Sequence, residues 1–339
     1  GVALLMISWA ACALFEETGG LPLYNDDHPS FILRLSVLAE SLPRWIPYNP
    51  YWNGGNATTY EAASGSLGPA LLLWPGLKLF SAVRVYTPGL ALLFLGVVPL
   101  AAGLSVRAAG GGRTAVSTAA LLAIGPGWML FRWMLEFGAI GACLAMSFLL
   151  PVTALLARLT AGERFGYGHA AGLVACSLGY LAWPGSWPMA LALVPALLVT
   201  VPRWNPAILR RLAGCGALIA ICIAPVMISL LTRTDLARFS AAGSLDADAG
   251  SWLDGFHLLG VTFRETNPLI LWLGVIGGVG SVRRGQRAFT GVLFTGLVLL
   301  AGWGEQLGGG PGMSRTGLAL AFAAILPLSL IHISEPTRH

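Results

Sequence analysis

Thr87-Pro-Gly-Leu-Ala-Leu-Leu-Phe-Leu-Gly96-Val-Val-Pro-Leu-Ala-Ala-Gly-Leu-Ser-Val106 carries no charged residue and stops against Arg107. As an α-helix rising about 1.5 Å per residue, such a run is about 30 Å long, the thickness of a bilayer's hydrocarbon core. Similar apolar runs occupy 1–15, 66–82, 115–131, 138–157, 170–184, 186–201, 214–231, 268–282, 288–303 and 317–332. The shorter ones are minimal spans lengthened by aromatic flanks. Composition agrees with this reading. Of 339 residues, 56% are hydrophobic and 10% charged, and the mean hydropathy is +0.74. A soluble domain carries about a quarter charged residues, so too little polar surface remains to cover a water-soluble globule. The expected fold is all-α: a polytopic integral membrane protein with about ten transmembrane helices, built as one transmembrane domain over 1–330.

The pI of 9.2 does not point to nucleic acid. Nineteen of the twenty basic residues are arginines, scattered singly between apolar runs, and Lys78 is the one lysine. Arginines so placed act as topology signals. The run 66–82 holds Pro69, Pro75 and Lys78 and is expected to lie at the interface or re-enter. With that choice, the loops 107–114, 158–169, 202–213 and 283–287 hold ten arginines and one acid, Glu163. The segments 16–86, 132–137, 232–267 and 304–316 hold nine basic residues and thirteen acids. The positive-inside rule then puts the arginine-rich loops in the cytoplasm and the acidic ones outside, as in a bacterial inner-membrane protein. The cysteines, Cys12, Cys143, Cys176, Cys215 and Cys222, lie in apolar runs without metal-ligand spacing, which implies neither a disulfide framework nor a zinc site. Both ends are expected to be incomplete. The chain opens on Gly1 inside an apolar run, and residues 331–339 resemble a translated sequencing adapter rather than native protein.

The first outer loop, 16–66, is the most informative. It reads Glu16-Glu17, then Asn25-Asp26-Asp27-His28-Pro29, then a segment with Phe31, Leu35, Leu38 and Leu42 at helical spacing. That pattern predicts an amphipathic surface helix, started by the Asn/Asp cluster and the early proline, with Arg34, Glu40 and Ser41 off its apolar face. Trp45, Tyr48, Tyr51 and Trp52 follow within eight residues. They suit a headgroup-level anchor or the floor of a sugar site.

The acidic cluster 25–29, the helix with Arg34 and the Trp45…Asn49-Pro50…Gly54-Gly55 stretch resemble the C superfamily of polyprenyl-phosphate-dependent glycosyltransferases. Its protein O-mannosyltransferase and aminoarabinose-transferase types share this plan. The resemblance covers about residues 1–160. The family's tyrosine-proline-proline segment is absent here and replaced by Thr59-Tyr60-Glu61. The resemblance implies a sugar donor on a polyprenyl phosphate and an outer-loop carboxylate, Asp26 or Asp27, as general base. In some members a divalent metal such as Mg2+ or Mn2+ assists, which would fall to the same two aspartates. It also implies a second acid in the next outer loop, where Glu136 stands four residues after Arg132. Cationic side chains hold the departing phosphate in such enzymes. Arg34, Arg84, Arg132 and Arg315 are the candidates, because the guanidinium fork matches phosphate oxygens, and Trp52 is the candidate for stacking on sugar.

Each candidate also has a structural reading. Asp26 and Asp27 suit helix capping, and His28 suits a first-turn surface position. Arg132 and Glu136 suit an i,i+4 ion pair, Arg84 suits snorkelling, and Arg315 suits a helix end. The loop 232–267 reads as a solvated acidic segment, because Asp246-x-Asp248 lacks the rest of a calcium loop. Two other functions stay open: a transporter or flippase for a lipid-linked or polar solute, and a non-catalytic scaffold. The expected partners are membrane lipid and the polyprenyl-phosphate donor, with no nucleic acid.

Overall fold

The computed structural model describes residues 2–19, 21–23, 27–42, 48–49, 56–57, 64–124, 134, 138–232, 252–265 and 284–303. Within them the chain is mostly helical. The one sheet there is a two-residue antiparallel pair, β1 (Tyr48–Asn49) with β2 (Asn56–Ala57), in the first loop.

Helix α1 (Val2–Thr18) leads through Gly19, at φ 58°, into the first loop. Helix α2 (His28–Ser41) has Pro29 in its first turn and ends at Leu42, which adopts the extended conformation that a following proline favours. Helix α3 (Leu67–Leu79) contains Pro75. At 13 residues it is about 20 Å long, short of a full crossing. Phe80 and Ser81 then reverse the chain into α4 (Ala82–Ala108). A π-helical stretch, Leu92–Val97, lies between Pro88 and Pro99 in α4. Pro99 offers no N–H to the carbonyl four residues back, so the ladder there has to shift.

Helix α5 (Arg113–Ile124) returns alongside α4, and α6 (Ile140–Thr160) follows. Then come α7 (Tyr167–Leu181), α8 (Trp187–Ala190), α9 (Leu193–Leu198) and α10 (Pro206–Thr232). The last described helices are α11 (Trp252–Glu265) and α12 (Arg284–Trp303). Among the described residues, three helices are long and apolar enough to cross a membrane: α4, α6 and α10.

These three have different surroundings. Helix α6 is 94% buried, enclosed by α3, α4, α7 and α12. Its hydroxyls are satisfied within the helix: Ser147 donates to the Leu144 carbonyl at 2.6 Å and Thr153 to that of Leu150 at 2.8 Å. That is how polar side chains survive where water is excluded. Helix α10 is equally apolar, with hydropathy 2.1, yet only 6% of its span is buried within the protein. An apolar helix left uncovered by its own chain is one whose surface suits lipid.

Two helix faces differ from the sequence expectation. Arg34 and Ser41 are buried with Phe31, Leu35 and Leu38, and of the three polar positions only Glu40 is exposed. Helix α2 is therefore covered on more than its apolar stripe, because α3 and the start of α4 pack over it. The expected solvated loop 232–267 contains α11, which packs on α12. Phe256 meets Trp303 edge-on with centroids 5.0 Å apart, and Gly255 leaves no room for a Cβ against the Trp303 indole. The runs 268–282 and 317–332 lie outside the described residues.

The helix connections gather at two ends. At one, Arg158 donates to the carbonyls of Ala108 at 2.6 Å and Arg164 at 3.0 Å and pairs with Glu163 at 3.5 Å. This joins the turn after α4 to the turn after α6. At the other, the start of α4 meets α2, and Gly65 abuts both Gly141 and Trp183. The 27 residues of α4 separate the two ends by about 40 Å.

Candidate functional site

The second end holds Asp27, the one sequence-designated acid among the described residues. Asp27 occupies the N-cap position of α2 with helical dihedrals, φ −80° and ψ −6°, and its side chain makes no capping hydrogen bond. Its backbone carbonyl takes the amide of Phe31 at 2.9 Å. The carboxylate is exposed, so the capping role is not the one this side chain plays.

His28 is 0% exposed, contrary to the surface position expected for it. Its Nδ1 lies 2.6 Å from the Tyr86 hydroxyl, and the two rings meet edge-on with centroids 5.7 Å apart. Tyr86 projects from the first turns of α4, within electrostatic reach of the Asp27 carboxylate. The neighbouring Thr87 hydroxyl donates to the Leu21 carbonyl at 3.1 Å. Together these bonds pin both sides of the acidic cluster to α4. The other end of α2 is held by Lys78, whose ammonium donates to the carbonyls of Ala39 and, at 3.1 Å, Leu42.

Gly138, at the start of the described stretch 138–232, reaches the same place. Gly138 has φ 66°, and a Cβ there would stand 2.8 Å from the His28 amide nitrogen and 3.1 Å from the Asp27 carbonyl carbon. Only glycine fits, both for conformation and for the approach of two backbones. Met134, four residues earlier, is buried in the core. In the sequence, Glu136 stands between these two residues.

Arg34 is on the buried side of α2, 7% exposed, with its guanidinium 5.5 Å from the Phe31 ring centroid and further contacts besides. Arg84 is exposed two residues before buried Tyr86 and so faces away from it. Asp26, Trp52, Arg132, Glu136 and Arg315 lie outside the described residues. Among the described residues no three metal-ligating side chains converge. Asp27 supplies one carboxylate, and His28 Nδ1 is engaged with Tyr86.

Sequence reasoning placed His28 in the cluster but at its surface, and it missed Tyr86 and Gly138. The Asp-Asp-His-Pro signature was visible, but the hydroxyl that buries its histidine comes from 58 residues away. The cluster as described is an exposed, uncapped carboxylate resting on a buried His–Tyr hydrogen bond. Such a group accepts a proton from a bound hydroxyl without surrendering a structural bond. No protein-family model matches this chain, and no curated protein or solved structure is significantly similar to it.

Proposed function

We propose that this protein is a membrane glycosyltransferase that moves a sugar from a polyprenyl-phosphate carrier to an extracytoplasmic acceptor at the Asp27 end. In this reading about ten helices cross a bacterial inner membrane, with the arginine-rich turns in the cytoplasm. The observation that carries the proposal is the seating of Gly138 against the Asp27–His28 peptide. Gly138 follows Glu136 by two residues in the sequence, and its seat beside Asp27 supports the reading of a two-acid transfer site.

The Asp27 carboxylate takes the proton from the acceptor hydroxyl as that oxygen bonds to the anomeric carbon. The bond from that carbon to the phosphate oxygen breaks, and the polyprenyl phosphate leaves with both bonding electrons. Asp26 shares the base role and Glu136 orients the acceptor; of the sequence-designated cations, Arg132 and Arg315 are assigned to the leaving phosphate, since Arg34 is buried and engaged and Arg84 faces away from Tyr86. Trp52 offers the sugar a ring to stack on. A divalent metal, if used, takes Asp26 and Asp27 as its ligands.

The test is transfer of labelled sugar from a polyprenyl-phosphate donor by the purified protein in nanodiscs. The Asp26→Asn, Asp27→Asn double variant should lower turnover by about 10²–10⁴-fold, the usual worth of a general base, with insertion unchanged. Wild-type rates in the Asp26→Asn, Asp27→Asn double variant would sink the mechanism. The rival transporter reading draws on the π-helical stretch inside α4, a feature common at functional sites. Against it, the charged residues of α4, α6 and α10 lie within a few residues of a helix terminus, whereas transport routes mark the mid-membrane with charge. Uptake of solute into vesicles without sugar transfer would favour the transporter.

A further inference from the structure

We propose that the groove between α7 and α10 binds an anionic phospholipid of the surrounding bilayer, with its phosphate at Arg211 and one acyl chain along the apolar wall. The groove has a volume of about 770 Å³ and is lined by Phe165, Tyr167, Val174, Arg211, Cys215 and Leu218 among others. That volume falls in the about 300–1,000 Å³ range of ligand clefts. Because so little of α10 is covered by the protein, the groove opens toward the bilayer, and lipid is the molecule that meets it.

Charge selects the headgroup. Among the described residues that line the groove, Arg211 alone is charged. Among the described residues it has no ion pair or hydrogen bond, while its neighbours are engaged. Arg210 donates to the Pro206 carbonyl at 3.3 Å, and Arg158 is tied to Glu163 and two carbonyls. An exposed guanidinium at the start of a membrane-length helix is placed at headgroup depth, where Phe165 and Tyr167 supply the aromatic residues typical of that level. The wall beyond it is apolar and roomy. A Cβ built on Gly214 meets nothing within 4 Å. A smaller cavity of about 180 Å³ shares Cys215 and is lined further by Leu173, Tyr180 and Ile219. A phosphate held at one end and a chain laid along α7 account for both features.

This site lies at the far end of α6 from Asp27 and does not depend on the sugar-transfer reading. The full chain, purified in detergent, is mixed with phosphatidylglycerol or phosphatidylcholine and weighed by native mass spectrometry. Phosphatidylglycerol should be retained several-fold more than phosphatidylcholine. Arg211→Gln, which alters an exposed side chain, should bring the two lipids to parity. Gly214→Leu should reduce retention of both with an unchanged melting midpoint, because its side chain grows into open space. Equal retention of the two lipids by the wild type, or an undiminished preference in Arg211→Gln, would overturn the proposal. Displacement of phosphatidylglycerol by an equimolar polyprenyl phosphate would overturn it too, and assign the groove to the carrier lipid.

Discussion

Asp27 and His28 are adjacent, and the structure gives them opposite environments. The carboxylate is exposed and caps nothing, while the imidazole is sealed against Tyr86. Two stability measurements separate their roles. Replacing a working N-cap by alanine costs about 0.5–2 kcal/mol, so Asp27→Ala should fall within about 0.5 kcal/mol of wild type, as surface substitutions do. Tyr86→Phe keeps the ring but removes the buried hydrogen bond to Nδ1, and such a bond contributes about 0.5–1.5 kcal/mol. Unfolding in mixed micelles checks both. A large loss in Asp27→Ala would restore the capping role, and a neutral Tyr86→Phe would mean the bond contributes nothing. The acidic cluster was legible in the sequence because Asn-Asp-Asp-His-Pro is dense in polar groups within a mostly apolar chain. The burial of His28 was not, because burial is decided by whatever packs over a residue, and here that is a helix far along the chain.

Helix α2 shows the same limit one level up. Its apolar spacing at Phe31, Leu35 and Leu38 revealed a helix and one buried face. A helix that lies on a surface and one that is wedged between neighbours share that stripe, and only the second also covers Arg34 and Ser41. Lys78, read from sequence as a sign that 66–82 does not cross, instead has a local task at the last carbonyls of α2, where a cation also complements the helix dipole. Lys78→Met keeps most of the stem over Trp74 and removes both bonds. It should cost about 1 kcal/mol and speed amide exchange in the last turn of α2, while exchange in α6 stays unchanged. A sterner element-level test is Gly141→Ala. Its Cβ would stand 2.3 Å from the Gly65 carbonyl oxygen, and backbone cannot yield as a side chain does. Overpacking of this kind costs about 1–3 kcal/mol or more, so the melting midpoint of Gly141→Ala should fall clearly. An unchanged midpoint would mean that α3 and α6 do not meet through these glycines.

Across the whole molecule, charge and connectivity sort together. The turns with Arg107, Arg158 and Arg164 are tied to one another at one end of α4 and α6, and Arg211 faces Phe165 and Tyr167 across the groove there. Asp27, His28 and Gly138 meet at the other end. Counting arginines in the sequence grouped these same turns, because a hydrophobic span fixes where a chain must turn and charge marks which turns share a side. The helix within 252–265 escaped that reading because its polar face gave it the composition of a loop. The shared ends make the topology testable by two sites alone. In a background without the five native cysteines, Pro29→Cys lies beside the acidic cluster and Arg164→Cys beside the basic turns, and both positions are exposed. A membrane-impermeant thiol reagent applied to intact bacterial spheroplasts should label Pro29→Cys at once. Arg164→Cys should react only after the membrane is opened. Labelling in the reverse order would turn the protein over and put Asp27 in the cytoplasm, away from any extracytoplasmic acceptor. Labelling of both from one side would mean that α4 and α6 do not cross, even though their length and apolar character allow it.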